Sequence, residues 1–323
     1  MKDSISGFCH RLLGYSEFGA LIGFVVVFLV FYALSPSQFL TIESLAAILT
    51  KSAVLGIIAI GMCFLMISGE FDLSVGSTCA VSAMCFALLM SKMGIHPAIA
   101  LLIALLISGG IGFANSVITL KGGIPSFIAT LGMMWFLRGV LLAITGGRTV
   151  EYWGRSTLLL VLNGRIGHFR TSSIWLIVLV IIFAIILGRT RYGNWVYATG
   201  GSRETTKVMG VNADRVKRIN FVLTGLLAGF AGCVYFGRFK FVDPTLGLGW
   251  ELEAIAAAVI GGTLLTGGRG SVIGACIGAL LVGMISHGLI LAGAPAYWYQ
   301  AFIGLILIVA AIINMQIQKR GFI

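Results

Sequence analysis

An all-α polytopic membrane fold, with about ten transmembrane segments in two inverted five-segment repeats, is what this 323-residue chain predicts. Three observations carry that expectation: the balance of apolar and charged residues, the lengths of the charge-free runs, and an echo between the two halves. Hydrophobic residues make up 59% of the chain and charged residues 10%, against about 25% charged in ordinary soluble domains. A helix needs roughly 20 apolar residues to cross the hydrocarbon core, and the runs can be counted against that length.

The charge-free runs are 18–42, 52–69, 73–91, 94–120, 122–137, 171–188, 219–237, 254–268 and 270–318. The last is too long for one span, and Gly293-Ala294-Pro295 supplies a turn that splits it. Ten segments result. Those at 52–69 and 254–268 are short or glycine-broken, and are expected as half-helices or re-entrant segments.

The echo lies between Ala104-Leu105-Leu106-Ile107, which leads to Gly122-Gly123-Ile124-Pro125, and Ala279-Leu280-Leu281-Val282, which leads to Gly293-Ala294-Pro295. The two are roughly 170 to 175 residues apart, the spacing of two five-span repeats. An odd number of spans per repeat inverts the halves in the membrane.

Orientation follows from residues 189–218. Arg189, Arg191, Arg203, Lys207, Arg215, Lys217 and Arg218 lie there against only Glu204 and Asp214. By the positive-inside rule this loop is cytoplasmic, and counting spans puts both termini inside. Lys2, Arg11, Lys319 and Arg320 agree. Residues 146–170 fall outside although they carry Arg148, Arg155, Arg165 and Arg170. The chain is read as a single transmembrane domain over 1–323, with 189–218 as its cytoplasmic loop.

The net charge of +11 is shared among short loops rather than gathered on one soluble face, so it reports topology and no nucleic-acid partner. The cysteines have no metal-type spacing, and His10, His96, His168 and His287 are scattered, so no metal is expected. No Gly-Lys dipeptide occurs, so this chain holds no phosphate loop. No catalytic constellation is expected either.

Several polar residues interrupt the apolar runs. Glu70-Phe71-Asp72-Leu73-Ser74 sets two carboxylates between two runs, with Ser74 placed to cap the next helix. Glu251 and Glu253 head the eighth segment. All four acidic groups are read either as lining a transport path or as ordinary helix-start electrostatics. Asn115 and Arg138 lie within or near the ends of long runs, where polar side chains face a bundle interior; Arg138 is read alternatively as snorkelling to the outer surface. Trp135, Phe136 and Tyr297-Trp298-Tyr299-Gln300 sit near predicted external span ends, as an interfacial belt or as stacking surfaces for a sugar ring.

Three motifs together resemble one known group: Ile67-Ser68-Gly69-Glu70-Phe71-Asp72-Leu73-Ser74-Val75-Gly76-Ser77, Ile124-Pro125-Ser126-Phe127-Ile128-Ala129-Thr130-Leu131-Gly132, and residues 251–262, which begin Glu251-Leu252-Glu253-Ala254. The chain is similar, from first span to last, to the ribose-type permeases of bacterial ABC sugar importers, the second carbohydrate-uptake class. The resemblance implies a bacterial inner-membrane permease subunit. Its partners would be a cytoplasmic ABC ATPase, a periplasmic or lipid-anchored sugar-binding protein, and a second copy or paralogue of itself in the lipid bilayer.

No cofactor is expected on this chain; ATP and Mg would be bound by the ATPase. Glu204-Thr205-Thr206, followed after three residues by Gly210, is similar to the family's ATPase-docking loop, with threonines replacing two alanines. Gly201, Glu204, Thr205, Thr206 and Gly210 are therefore the expected coupling residues. The substrate pathway is expected at Glu70, Asp72, Ser74, Asn115, Thr130, Trp135, Arg138, Glu251 and Glu253. Two alternatives stand beside this reading: an ABC permease for branched-chain amino acids or other small solutes, and an ion-coupled secondary transporter in which Glu70, Asp72 or Glu251 carries a proton.

Overall fold

A computed structural model describes residues 16–202, 206, 208, 210–295 and 297–319. In chain order the helices are α1 (Ser16–Leu34), α2 (Pro36–Phe39), α3 (Ile42–Ile67), α4 (Val75–Ser91), α5 (Pro97–Leu120), α6 (Ser126–Thr145), α7 (Thr157–Asn163), α8 (Thr171–Arg189), α9 (Arg191–Gly201), α10 (Ala213–Phe239), α11 (Trp250–Ile260), α12 (Val272–Leu291) and α13 (Trp298–Lys319). Short strands β1 (Val150–Glu151) and β4 (Phe241–Val242) pair antiparallel, as do β2 (Arg165–Ile166) and β3 (Phe169–Arg170). Among the described residues, α3, α5, α6, α8, α10 and α12 are long and apolar enough to cross a membrane. The protein is an all-α, multi-pass membrane protein.

Side-chain caps set several helix starts. The hydroxyl of Thr41 accepts from the Ser44 amide to open α3, Asn212 accepts from the Arg215 amide to open α10, and Ser271 accepts from the Gly274 amide to open α12. Gly146, at φ +59°, ends α6 in the left-handed region.

Helices α3, α10 and α12 form the centre, while α5, α6 and α8 present most of their apolar surface outward. The most extensive seam joins α5 to α10. A Cβ on Gly112 would overlap the Phe221 carbonyl, and one on Gly225 would overlap that of Ser108. In lipid, where hydrophobic burial no longer drives helices together, such backbone proximity supplies the cohesion.

Two segment boundaries differ from those the charges predict. Residues 52–69 are no half-helix but the greater part of the 26-residue α3, because Lys51 lies inside that helix and donates to Ser286. The run 122–137 likewise continues to Thr145, because Arg138 is buried within α6. The segment 254–268 does hold a short helix, the 11-residue α11.

Candidate functional site

Between α3 and α4 the chain breaks and turns. Gly69 takes φ +83°, and Asp72, only 1% exposed, accepts from the Ser74 amide at 2.8 Å and the Ser74 hydroxyl at 2.6 Å. Asn115 of α5 donates to Asp72 Oδ2 at 3.3 Å and to Ser74 Oγ at 2.8 Å. The hydroxyl of Thr130 accepts from the Leu73 amide at 2.9 Å, and that of Ser126 from the Phe71 amide at 3.1 Å. The break is thus tied to α5 and α6, and the buried carboxylate is matched by the Ser74 amide and hydroxyl and by the Asn115 side chain.

Ser74 occupies the N-cap position of α4, but its hydroxyl serves Asp72 rather than a helix amide, correcting its expected role as a capping residue. Glu70 pairs with Lys217 of α10 at 2.6 Å, both side chains mostly buried. This locates the break at the same end of the bundle as residues 190–212.

A second break, 243–249, separates β4 from α11 and repeats the chemistry of the first. Asp243 Oδ1 accepts from both the amide and the hydroxyl of Thr245, as Asp72 does from Ser74. The six residues Phe71-Asp72-Leu73-Ser74-Val75-Gly76 correspond to Val242-Asp243-Pro244-Thr245-Leu246-Gly247. The two breaks touch. A Cβ on Gly76 would overlap the Gly247 carbonyl, and a Cβ on Gly247, at φ +75°, would overlap that of Gly76.

Arg138 fastens the second break from inside. It is 8% exposed and donates to the carbonyls of Pro244 at 2.5 Å and Leu246 at 2.8 Å, so it does not snorkel. Since Arg138 lies in the middle of α6 and Gly247 meets the first turn of α4, residues 243–249 dip back into the bundle and α11 starts within it. Glu251 then stands against Gly76 and faces Arg138, while Glu253, half-buried, faces Lys51 and Tyr299.

The expected pathway residues therefore divide. Asp72, Ser74, Asn115 and Thr130 meet at one break, with Glu70 beside it; Arg138, Glu251 and Glu253 surround the other. Trp135 joins neither: it is 67% exposed on the outer face of α6, and its place in mid-helix rather than at a span end follows from the burial of Arg138. Lys51, Ser126 and Lys217 were not singled out for the pathway, and Tyr299 only within an aromatic group read as an interfacial belt or a sugar-stacking surface. For Lys51 the signal was present, since one lysine divides apolar residues that otherwise fill a complete span.

At the face carrying 190–212, α9 ends at Gly201. Gly200 lies so close to the end of α3 that a Cβ would overlap the Ile67 carbonyl, which also accepts from the Gly268 amide at 2.8 Å. Glu204 and Thr205 lie outside the described residues. Thr206 is fully buried and donates to the Ser202 carbonyl at 2.7 Å, while Gly210 takes φ +71° and the Val211 amide returns to the Thr206 carbonyl. This is the left-handed stop that a glycine at that position serves. Among the described residues, no group of His, Cys, Asp and Glu could hold a metal ion.

Comparison with known proteins identifies the family. Residues 44–311 match the family described as branched-chain amino acid transport system / permease component. The chain is 37% identical to the ribose import permease protein of Escherichia coli K12, covering 91% of this chain and 92% of that one. It is 33% identical to the ribose import permease protein of Bacillus subtilis 168 over 92% of each chain. It is 34% identical to the autoinducer 2 import system permease protein of Yersinia enterocolitica, over 90% of this chain and 79% of that one. No solved structure matched. A family match over most of the chain, with relatives above 30% identity along nearly its whole length, establishes that this protein belongs to the branched-chain amino acid transport system permease-component family and is a transport subunit rather than an enzyme.

Proposed function

We propose that this chain is the permease subunit of an ATP-driven ABC importer that carries a monosaccharide or related small polyol across the bacterial inner membrane. The observation that carries the reading is the 37% identity to a ribose import permease over 91% of this chain. The whole of 1–323 acts as one permease domain. A cytoplasmic ATPase, which binds the ATP and Mg, docks on residues 201–210; a periplasmic or lipid-anchored binding protein delivers the sugar; a second copy or paralogue completes the pathway. The loop 189–218 and both termini, which lie outside the described residues except for α13, face the cytoplasm by the positive-inside rule.

Ten segments in two inverted repeats are supported by the placement of the helices. The starts of α3, α4, α5 and α6 recur at those of α10, α11, α12 and α13 after roughly 170 to 175 residues. The paired Asp72 and Asp243 turns, touching through Gly76 and Gly247, fit a pseudo-twofold axis between the repeats. In the proposed cycle the ATPase favours different permease states as its own ligation changes, and only that differential affinity moves the equilibrium. Gly200, packed on the end of α3 and next to Gly268, gives the docking segment a direct hold on the bundle.

A second reading, import of a branched-chain amino acid, is favoured by the description of the matched family. One experiment separates them. In proteoliposomes holding the complete complex, radiolabelled ribose should accumulate only with ATP and loaded binding protein, and leucine should not. Leucine uptake without ribose uptake establishes the second reading, and uptake driven by an ion gradient without the ATPase defeats both.

A further inference from the structure

Lys51 and Glu253 meet in a small cavity that the two breaks do not account for. Lys51 lies about 13 Å along α3 from its start at Ile42, well inside the span. Its ammonium donates to Ser286 of α12 and sits 4.7 Å from the centre of the Tyr299 ring, with Glu253 opposite. Together with Trp250 and Gly283 these side chains line a cavity of about 50 Å³.

Two polar atoms around it have no hydrogen-bond partner: Ser52 Oγ and His287 Nε2. Ser52 is completely buried, and a Cβ on Gly283, in the cavity wall, would overlap its hydroxyl. Native interiors pair almost all such groups, so the cluster is built for a hydrogen-bonding occupant. Charged residues at this depth face a bundle interior or an aqueous cavity rather than lipid. Lys51 is nonetheless exposed on this subunit, so its ammonium is within reach of a molecule outside the cavity.

The chemistry defines the occupant. An ammonium offers three donors, a carboxylate only acceptors, and a tyrosine hydroxyl both. The opposed charges of Lys51 and Glu253 cancel, so neither an anion nor a cation is favoured, whereas a neutral molecule with several hydroxyls satisfies every group. Trp250 in the lining offers apolar surface for the C–H groups of such a molecule. A volume of about 50 Å³ admits a few waters or one hydroxyl-bearing end of a solute, and the exposed flank of Lys51 leaves the remainder outside it.

We propose that Lys51, Glu253 and Tyr299 form a contact point on the transport route that binds one end of a neutral, hydroxyl-rich solute. This rests on the transport reading above. The test uses the complete complex in proteoliposomes, with reactive native cysteines removed. Glu253→Cys should react with a water-soluble methanethiosulfonate at least tenfold faster than Ile181→Cys on the outward face of α8. The solute the parental complex imports, ribose in the first instance, should slow that reaction at least threefold.

Equal, slow reaction at both positions overturns the site. So does access without protection by a solute that the parental complex does import, which leaves only a water-filled cavity. Reagent access needs water alone, so slow reaction at both positions overturns the site even where ribose import fails and the sugar reading falls. Lys51→Met and Glu253→Gln should each lower solute carried per ATP hydrolysed about tenfold, with Lys51→Arg recovering most of it. Parental transport in both neutral variants also overturns the proposal.

Discussion

The turns at Asp72 and Asp243 hold the same local chemistry in different surroundings. In each, a carboxylate accepts from the amide and hydroxyl two residues ahead, and a glycine two residues further on meets its counterpart. Asp72 is sealed in and must be matched by Asn115, whereas Asp243 keeps partial access to solvent and its turn is held through backbone carbonyls by Arg138. A short motif fixes the shape of a turn, while its neighbours decide whether the carboxylate stabilises the bundle or only the turn.

The largest effect should come where the two turns share one contact. Gly76→Val and Gly247→Val each drive a branched side chain into the opposite carbonyl, and Gly247 adds the strain of a positive φ. Each should cost more than about 3 kcal/mol and abolish a monodisperse peak in detergent size exclusion. Survival of one but not the other would show that the contact yields from one side.

Next in size is the difference between the carboxylates. Asp72→Ala strands Asn115 and two Ser74 donors in the interior and should cost about 2 to 4 kcal/mol, read as a lowered thermal midpoint of the detergent-solubilised protein. Asp243→Ala, partly solvated, should cost about 1 kcal/mol or less. Equal losses would mean that burial does not separate the two turns.

The Glu70 to Lys217 pair tests whether the first break is fastened to α10. In a double-mutant cycle with Glu70→Gln and Lys217→Met the coupling should be about 1 to 3 kcal/mol, because both side chains are mostly buried. A coupling near zero would assign the pair to the screened surface class.

At the docking face the expected loss of stability is also small, and Gly210→Val should cost about 1 kcal/mol. It should nonetheless weaken co-purification with the ATPase and lower uptake at normal expression. Unchanged association in Gly210→Val and Glu204→Arg alike would remove residues 201–210 from coupling.

Much of the fold was legible because lipid imposes a simple rule: charge-free stretches of sufficient length become helices that satisfy their own backbone. Each of the nine apolar runs does contain a helix, and the last contains two. The rule fails where a charge is satisfied inside the bundle. Lys51 and Arg138 were taken as span ends, yet a serine hydroxyl on α12 and two carbonyls of a re-entrant loop accept hydrogen bonds from them in mid-helix. The stop at Gly210 was readable for a local reason, since only glycine takes its backbone angle at little cost.

The sequence by itself determined the membrane class, the helical segments, the family motifs and the polar residues worth watching, because apolar run length and local turn chemistry are properties of neighbours along the chain. Only the tertiary structure decided which of those residues meet. It joined Asp72 to Asn115, Glu70 to Lys217, and Glu253 to Lys51 and Tyr299, and set Trp135 apart from them all. A buried charge or hydroxyl must find partners in space, and those partners stand tens to hundreds of residues away, where no periodicity of the chain can point to them.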